Sequence, residues 1–81
     1  MTLTDVNVGN IGKIKGLNGD NSDPVARRLS DLGFLSATDV EVMRRSPFGD
    51  PTVYRLRGYE ICLRSDQAKR VDVVGSEDVL S

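Results

Sequence analysis

Few side chains in this sequence have the chemistry for catalysis, and their types favour binding instead. The 81 residues include no histidine, so the commonest general base near neutral pH and the commonest transition-metal ligand are absent. The single cysteine, Cys62, cannot complete a Cys/His zinc site. Cys62 alternates with Ile61 and Leu63 and so points away from their face, and we expect a buried or half-covered thiol rather than a reactive one. The protein is therefore predicted not to be an enzyme and to have no cofactor or dedicated metal site.

Two short segments resemble ligand-binding loops only superficially. Residues 9–13 have two residues between their glycines and no Ser or Thr after the lysine, whereas a phosphate-binding loop requires four residues and a hydroxyl side chain. Oxygen ligands for weak binding of a divalent metal ion occur at Asp20, Asn21 and Asp23. The simpler interpretation of these three residues is a solvated loop that caps a helix.

Arginines are concentrated in the middle of the chain, on both sides of a turn. They are Arg44, Arg45, Arg55 and Arg57. One interpretation is a basic docking face for an acidic partner surface or for phosphate groups. The other is a solvated outer face of a sheet, with Glu41 and Glu60 as cross-strand partners. The formal net charge of −1 gives no overall basic field, so nucleic acid is not a predicted partner.

Phe48 lies at the tip of a strong turn, residues 47–51, between Pro47 and Gly49. A large apolar side chain at a loop tip can anchor an interface with another protein. The alternative is that Phe48 folds back over the mouth of the domain, where it would belong to the core. The sequence leaves both interpretations open.

Turn-forming residues and period-two alternation predict five short strands. They span residues 11–17, 38–44, 52–57, 59–64 and 71–73. The clearest helix has Asp23 as its N-cap and Pro24 as its first residue. Gly33 is predicted to end this helix in the left-handed conformation, with Phe34 beyond it as in a Schellman motif. Ser65 is expected to cap a helical turn before the last strand.

These elements predict a mostly β fold, a small SH3-like barrel of about five strands with one short α-helix in the first loop and a helical turn before the last strand. The domain is expected to span residues 1–74, followed by a flexible C-terminal tail at 75–81. Remaining barrel edges make a weak homodimer an expectation. The lone cysteine and the lack of a signal peptide or membrane span favour a cytoplasmic location without direct membrane insertion.

Several short motifs are shared with a known family. They occur at residues 28–34, 38–42, 47–51, 57–60 and 63–64. Through them the sequence resembles the FeoA family over about residues 2–74. That family is similar to the SH3-like domains at the C-terminus of iron-dependent repressors, and its members are small cytosolic proteins of bacterial ferrous iron uptake. The resemblance implies an accessory or regulatory protein that binds the cytosolic portion of the FeoB ferrous iron transporter, which recruits it to the inner face of the membrane.

The resemblance and the arginine pattern together indicate candidate residues without identifying a catalytic one. The predicted partner-binding residues are Phe48, Asp50, Arg55 and Arg57, and the predicted backbone-shaping residues are Gly33, Gly49 and Gly58. Ala37 departs from the family, which usually has glycine there, so either the local turn differs or Ala37 adopts a strained conformation. The alternative function is an SH3-like sensor or regulator domain that binds a transition metal ion or an effector peptide.

Overall fold

The computed structural model describes residues 1–19 and 23–75, which form an antiparallel β-sheet with short helices in its loops. The strands are β1 (Ile11–Leu17), β2 (Asp39–Arg45), β3 (Thr52–Leu56), β4 (Tyr59–Leu63) and β5 (Val71–Gly75). Their order across the sheet is β4-β3-β2-β1-β5. An α-helix, α1 (Pro24–Asp31), separates β1 from β2, and a single helical turn, α2 (Ser65–Ala68), separates β4 from β5. The predicted fold class is confirmed.

Helix α1 begins and ends with the predicted signals. The Val25 N–H donates to Asp23 Oδ1 at 2.9 Å, so Asp23 is the N-cap. At the other end the Gly33 N–H donates to the Ser30 carbonyl and the Phe34 N–H to the Leu29 carbonyl, both at 3.0 Å. This is the Schellman pattern, and Gly33 has the positive φ of 103° that it requires.

The core is formed by one face of each strand together with single residues from the helices. Its buried side chains are Leu3, Val6, Ile14, Leu29, Phe34, Val40, Val42, Tyr54, Leu56, Leu63, Ala68, Val71 and Val73. Strand β3 shows the alternation most clearly, because Thr52, Tyr54 and Leu56 are buried while the residues between them are not. Phe34, which follows α1, is also fully buried in this core.

A β-bulge in β2 determines which of two adjacent arginines faces away from the core. Val42 is paired with Tyr54, but the next pair is Arg44 with Val53, so Met43 is the additional residue. After the bulge the alternation of β2 is shifted by one residue, so Arg45 is paired with the buried Thr52. Arg45 therefore lies on the face of Thr52, and Arg44 lies on the outer face.

Two predictions about polar residues near α2 were wrong. Ser65 does not cap this helical turn; it is the first helical residue, and Arg64 occupies the N-cap position. Cys62 is exposed rather than packed. Its neighbours Ile61 and Leu63 face the core, so Cys62 lies on the opposite face of β4, which is turned toward solvent.

Positive φ values occur at two residues other than glycine. Ala37 has φ 71°, so it adopts the strained left-handed conformation that glycine would tolerate more easily. Arg57 has φ 52° and Gly58 has φ 86°, which together form the type I′ turn that joins β3 to β4. The predicted tail, apart from Gly75 at the end of β5, lies outside the described residues, as do Asp20 and Asn21.

No helix in the described ranges has the length and hydropathy that a transmembrane span requires.

Candidate functional site

The turn between β2 and β3, residues 46–51, holds Phe48 out in solvent; we call it the Phe48 turn. The Gly49 N–H donates to the Ser46 carbonyl at 2.8 Å, which closes a β-turn with Pro47 at its first corner. The Asp50–Pro51 peptide bond is cis, and the Ser46 N–H donates to the Pro51 carbonyl at 3.1 Å. Phe48 is 96% exposed. Of the two interpretations of Phe48, the structure supports the exposed tip and rules out a place in the core.

Asp50 connects the Phe48 turn to the start of α2. Its carboxylate accepts hydrogen bonds from the Ser65 N–H at 2.7 Å and from the Ser65 hydroxyl at 3.3 Å. The Ser65 N–H is one of the unpaired donors at the beginning of a helix, so an anionic acceptor stabilises it. Asp50 was predicted to bind a partner, and the structure places it in a contact that positions the turn.

A small cavity of about 210 Å³ lies beneath the Phe48 turn. It is lined by Thr4, Arg45, Gly49, Thr52, Tyr54 and Ser65. Arg45 Nε donates to Thr52 Oγ1 at 3.1 Å, and Arg45 Nη2 donates to the Val6 carbonyl at 3.4 Å. The sequence analysis grouped Arg45 with the other arginines because nothing in the local pattern indicates the bulge at Met43.

Tyr54 forms the buried wall of this cavity, with 1% of its surface exposed. Burial raises the pKa of its hydroxyl above the usual value, and this effect outweighs the opposing influence of Thr52 and Arg45 beside it. The shift makes the hydroxyl harder to ionise at alkaline pH.

The outer face of the sheet, on the side away from the core, holds Arg44 and Arg55 in ion pairs. Arg44 Nη2 lies 3.4 Å from Glu60 Oε1, and Arg55 Nη2 lies 3.7 Å from Glu60 Oε2. All three side chains are substantially exposed, so these pairs contribute little to stability. For these two arginines the structure matches the solvated outer face with Glu60 as cross-strand partner, whereas Glu41 makes no ion pair within the described ranges.

The four predicted partner-binding residues do not form one cluster. Phe48 and Asp50 precede β3, whereas Arg57 follows it, and the strand between them spans roughly 16 Å. Arg57 and Gly58 instead line a shallow cavity of about 180 Å³ at the opposite end of β3, together with Arg55 and Ile11. The Phe48 turn is therefore the candidate functional site, and Arg57 belongs to a separate region.

Metal-ligating side chains are dispersed in the part of the chain that the structure describes. No group of three or more Cys, Asp or Glu residues comes together in residues 1–19 and 23–75. Asp23, one of the three loop residues considered as oxygen ligands, is occupied as the helix N-cap and in an ion pair with Arg70. Weak binding of a divalent metal ion in that loop stays a prediction.

The geometry agrees with what comparison with known proteins finds. A relative from Porphyromonas gingivalis, an Fe(2+) transport protein A/Fe(2+) transporter FeoB fusion protein, is 26% identical over 73 residues. The match covers 90% of this chain and 8% of that relative, so the chain spans only a small part of the fusion protein's length.

Solved structures support the same relationship. FeoA from Stenotrophomonas maltophilia, an SH3 domain protein solved as a zinc complex, superposes with a TM-score of 0.83 at 29% identity, covering 91% of this chain and 89% of that one. A FeoA-like protein from Clostridium acetobutylicum gives a TM-score of 0.85 at 30% identity, covering 94% and 86%. The family model of the FeoA domain matches residues 1–74 of this chain. This chain thus belongs to the FeoA family, which is associated with Fe²⁺ transport.

Proposed function

We propose that this chain is an accessory, regulatory protein of bacterial ferrous iron uptake that acts by binding the FeoB transporter. The observation that carries the proposal is the Porphyromonas gingivalis relative, in which an Fe(2+) transport protein A and FeoB are joined in one polypeptide. Covalent fusion keeps two modules at high effective concentration, which serves modules that must meet to function. Binding in the cytoplasm to FeoB would recruit this chain to the inner face of the membrane.

The Phe48 turn is the proposed contact surface. An aromatic side chain that is 96% exposed contributes nothing to the core, and aromatic residues are enriched among the anchors of protein interfaces. Asp50 and Ser65 fix the base of the turn, so the side chain is presented from a defined position. By binding one conformation of the transporter better than another, the chain would shift the balance between these conformations.

Calorimetric titration of the chain into the cytosolic portion of FeoB, with and without GTP, tests this proposal. We expect saturable binding that differs between the two nucleotide conditions. Phe48→Ala should weaken binding by about thirtyfold, the effect of losing an interface anchor worth about 2 kcal/mol. It should leave the melting temperature unchanged, because the side chain makes no core contact.

Val8→Ala is the matched control. Val8 is 49% exposed and lies outside the Phe48 turn, so its truncation should alter neither binding nor stability. Equal effects of the two substitutions, or wild-type affinity in Phe48→Ala, would exclude the Phe48 turn as the contact surface for the transporter. Absence of binding in both nucleotide conditions would contradict the transporter's cytosolic portion as the partner.

A further inference from the structure

One edge of the sheet has no partner in the described ranges. Strands β4 and β5 stand at the two ends of the strand order. The β5 end is partly covered by the N-terminus, since the Val73 N–H donates to the Met1 carbonyl at 2.9 Å and Thr2 forms a bridge with Asp72. Among residues 1–19 and 23–75, β4 pairs with β3 alone.

The hairpin of β3 and β4 determines which backbone groups face that edge. Leu56 and Tyr59 flank the two-residue turn, so they form a pair that exchanges both of its backbone hydrogen bonds. Pairs of this kind alternate along an antiparallel ladder with pairs that make no such bonds. The N–H and C=O groups of Ile61 therefore point toward β3, whereas those of Glu60 and Cys62 point away from it.

This edge lacks the features that usually prevent strands from pairing with other chains. The β3–β4 register is regular over all five pairs, without a bulge, and β4 contains no proline or lysine. Its single charged side chain, Glu60, is balanced by Arg44 and Arg55 and stays 38% exposed, so its charge does not by itself repel an approaching strand. Tyr59 is 41% exposed, and Ile61 is only partly buried, so apolar surface accompanies the free backbone groups.

We propose that this edge, formed by the outward backbone groups of Glu60 and Cys62 and called here the β4 edge, pairs with β4 of a second copy of the chain. The strands would run antiparallel about a two-fold axis at Ile61, which sets Glu60 of each copy opposite Cys62 of the other. Each such pair supplies two backbone hydrogen bonds, and the two Ile61 side chains meet at the axis.

Charge complementarity supports a second copy as the occupant. Arg64 continues the extended backbone just beyond β4 and is exposed, so in this register it lies diagonal to Glu60 of the second copy. The opposite charges attract each other, and the two-fold symmetry produces two such Arg64–Glu60 contacts. An axis at Glu60 would instead set the two carboxylates directly opposite each other, which is unfavourable.

Sedimentation velocity under reducing conditions, at concentrations up to about 1 mM, measures the predicted self-association. Cys62→Pro removes an N–H that points away from β3, so it should abolish association while preserving the fold. Cys62→Ser is the control, because it keeps that N–H and loses only the thiol. Amide exchange should show Glu60 and Cys62, but not Ile61, becoming more protected as concentration rises.

Charge reversal provides a second test that does not depend on proline. Arg64→Glu places like charges across the axis and should weaken association by about tenfold, whereas Arg64→Lys keeps the positive charge and should retain it. Circular dichroism verifies folding in each case. A wild-type chain that stays monomeric at every concentration overturns the proposal, as does wild-type association in both Cys62→Pro and Arg64→Glu. Protection of the edge amides by the transporter alone would also overturn the second copy as occupant.

Discussion

The Tyr54 hydroxyl couples the stability of this protein to pH. Because burial raises its pKa, the folded state holds the proton more tightly than the unfolded chain, whose tyrosines titrate near 10.0. Stability from this group is fully present below about pH 10 and is lost as the pH rises through the higher pKa of the folded state.

Thermal melting at several pH values, with reductant to protect the thiol, tests this coupling. The wild-type melting temperature should fall more steeply above about pH 10 than that of Tyr54→Phe, which keeps the ring and lacks the titrating group. Parallel decline in the two proteins would mean that other groups cause the alkaline loss.

Single residues also show what could be predicted from the sequence. The exposure of Phe48 follows from its place between Pro47 and Gly49, because both are turn-forming residues and loop tips lie at the surface. The role of Asp50 could not be predicted, since its acceptor function depends on the Ser65 N–H fifteen residues away. The resemblance indicated that Asp50 matters, and the fold supplies the structural reason.

Among the elements, the end of α1 fits closely against the β3–β4 hairpin. A Cβ atom built on Gly33 would come within 2.9 Å of Tyr59 Oη and 3.3 Å of Arg57 Cδ. The same residue has φ 103°, a conformation that a side chain disfavours. Gly33 therefore satisfies two requirements at once, the helix ending and the approach of the hairpin.

Gly33→Ala should lower the free energy of unfolding by about 1–2 kcal/mol, since the left-handed backbone penalises any Cβ. Gly16→Ala is the matched control, because a Cβ at Gly16 meets nothing within 4 Å and its φ is not positive. It should be neutral or slightly stabilising. Urea denaturation of both variants measures the difference, and equal losses would show that the backbone conformation at Gly33 is not the cause.

Element boundaries were predictable where a local sequence signal determines them. Features that depend on the pairing register of two strands were not predictable. Asp23 and Gly33 bound the helix through contacts within one or two turns of chain. The bulge at Met43 is different, because it exists only in the register between β2 and β3. Because the sequence did not predict this bulge, Arg45 was grouped with the docking face. The Arg45 side chain instead turns toward Thr52 beneath the Phe48 turn.

For the whole molecule, alternation and turn residues were sufficient for the fold class, since a small chain with five short strands can bury its apolar faces in few ways. The candidate site was predicted only in part. Phe48 was identified, but sequence proximity to the same turn grouped it with Arg57, and the length of β3 separates them. Distance across a sheet depends on strand lengths and pairing, which short motifs do not contain.

The Phe48 turn and the β4 edge are built from different residues, so their functions should separate. We expect Phe48→Ala to weaken transporter binding and keep self-association, and Arg64→Glu to weaken self-association and keep transporter binding. Calorimetry and sedimentation of the same two preparations provide the comparison. Joint loss of both activities in either variant would indicate that transporter binding requires the paired form.

The bonds that hold the Phe48 turn also determine the thermodynamics of its encounter with a partner. Ser46, Gly49 and Pro51 close the loop on itself, and Asp50 ties it to the neighbouring helix. A loop already ordered in the free protein loses little conformational entropy when it docks, so more of the contact energy of one aromatic ring appears as affinity. A small domain can in this way anchor an interface through one exposed aromatic side chain.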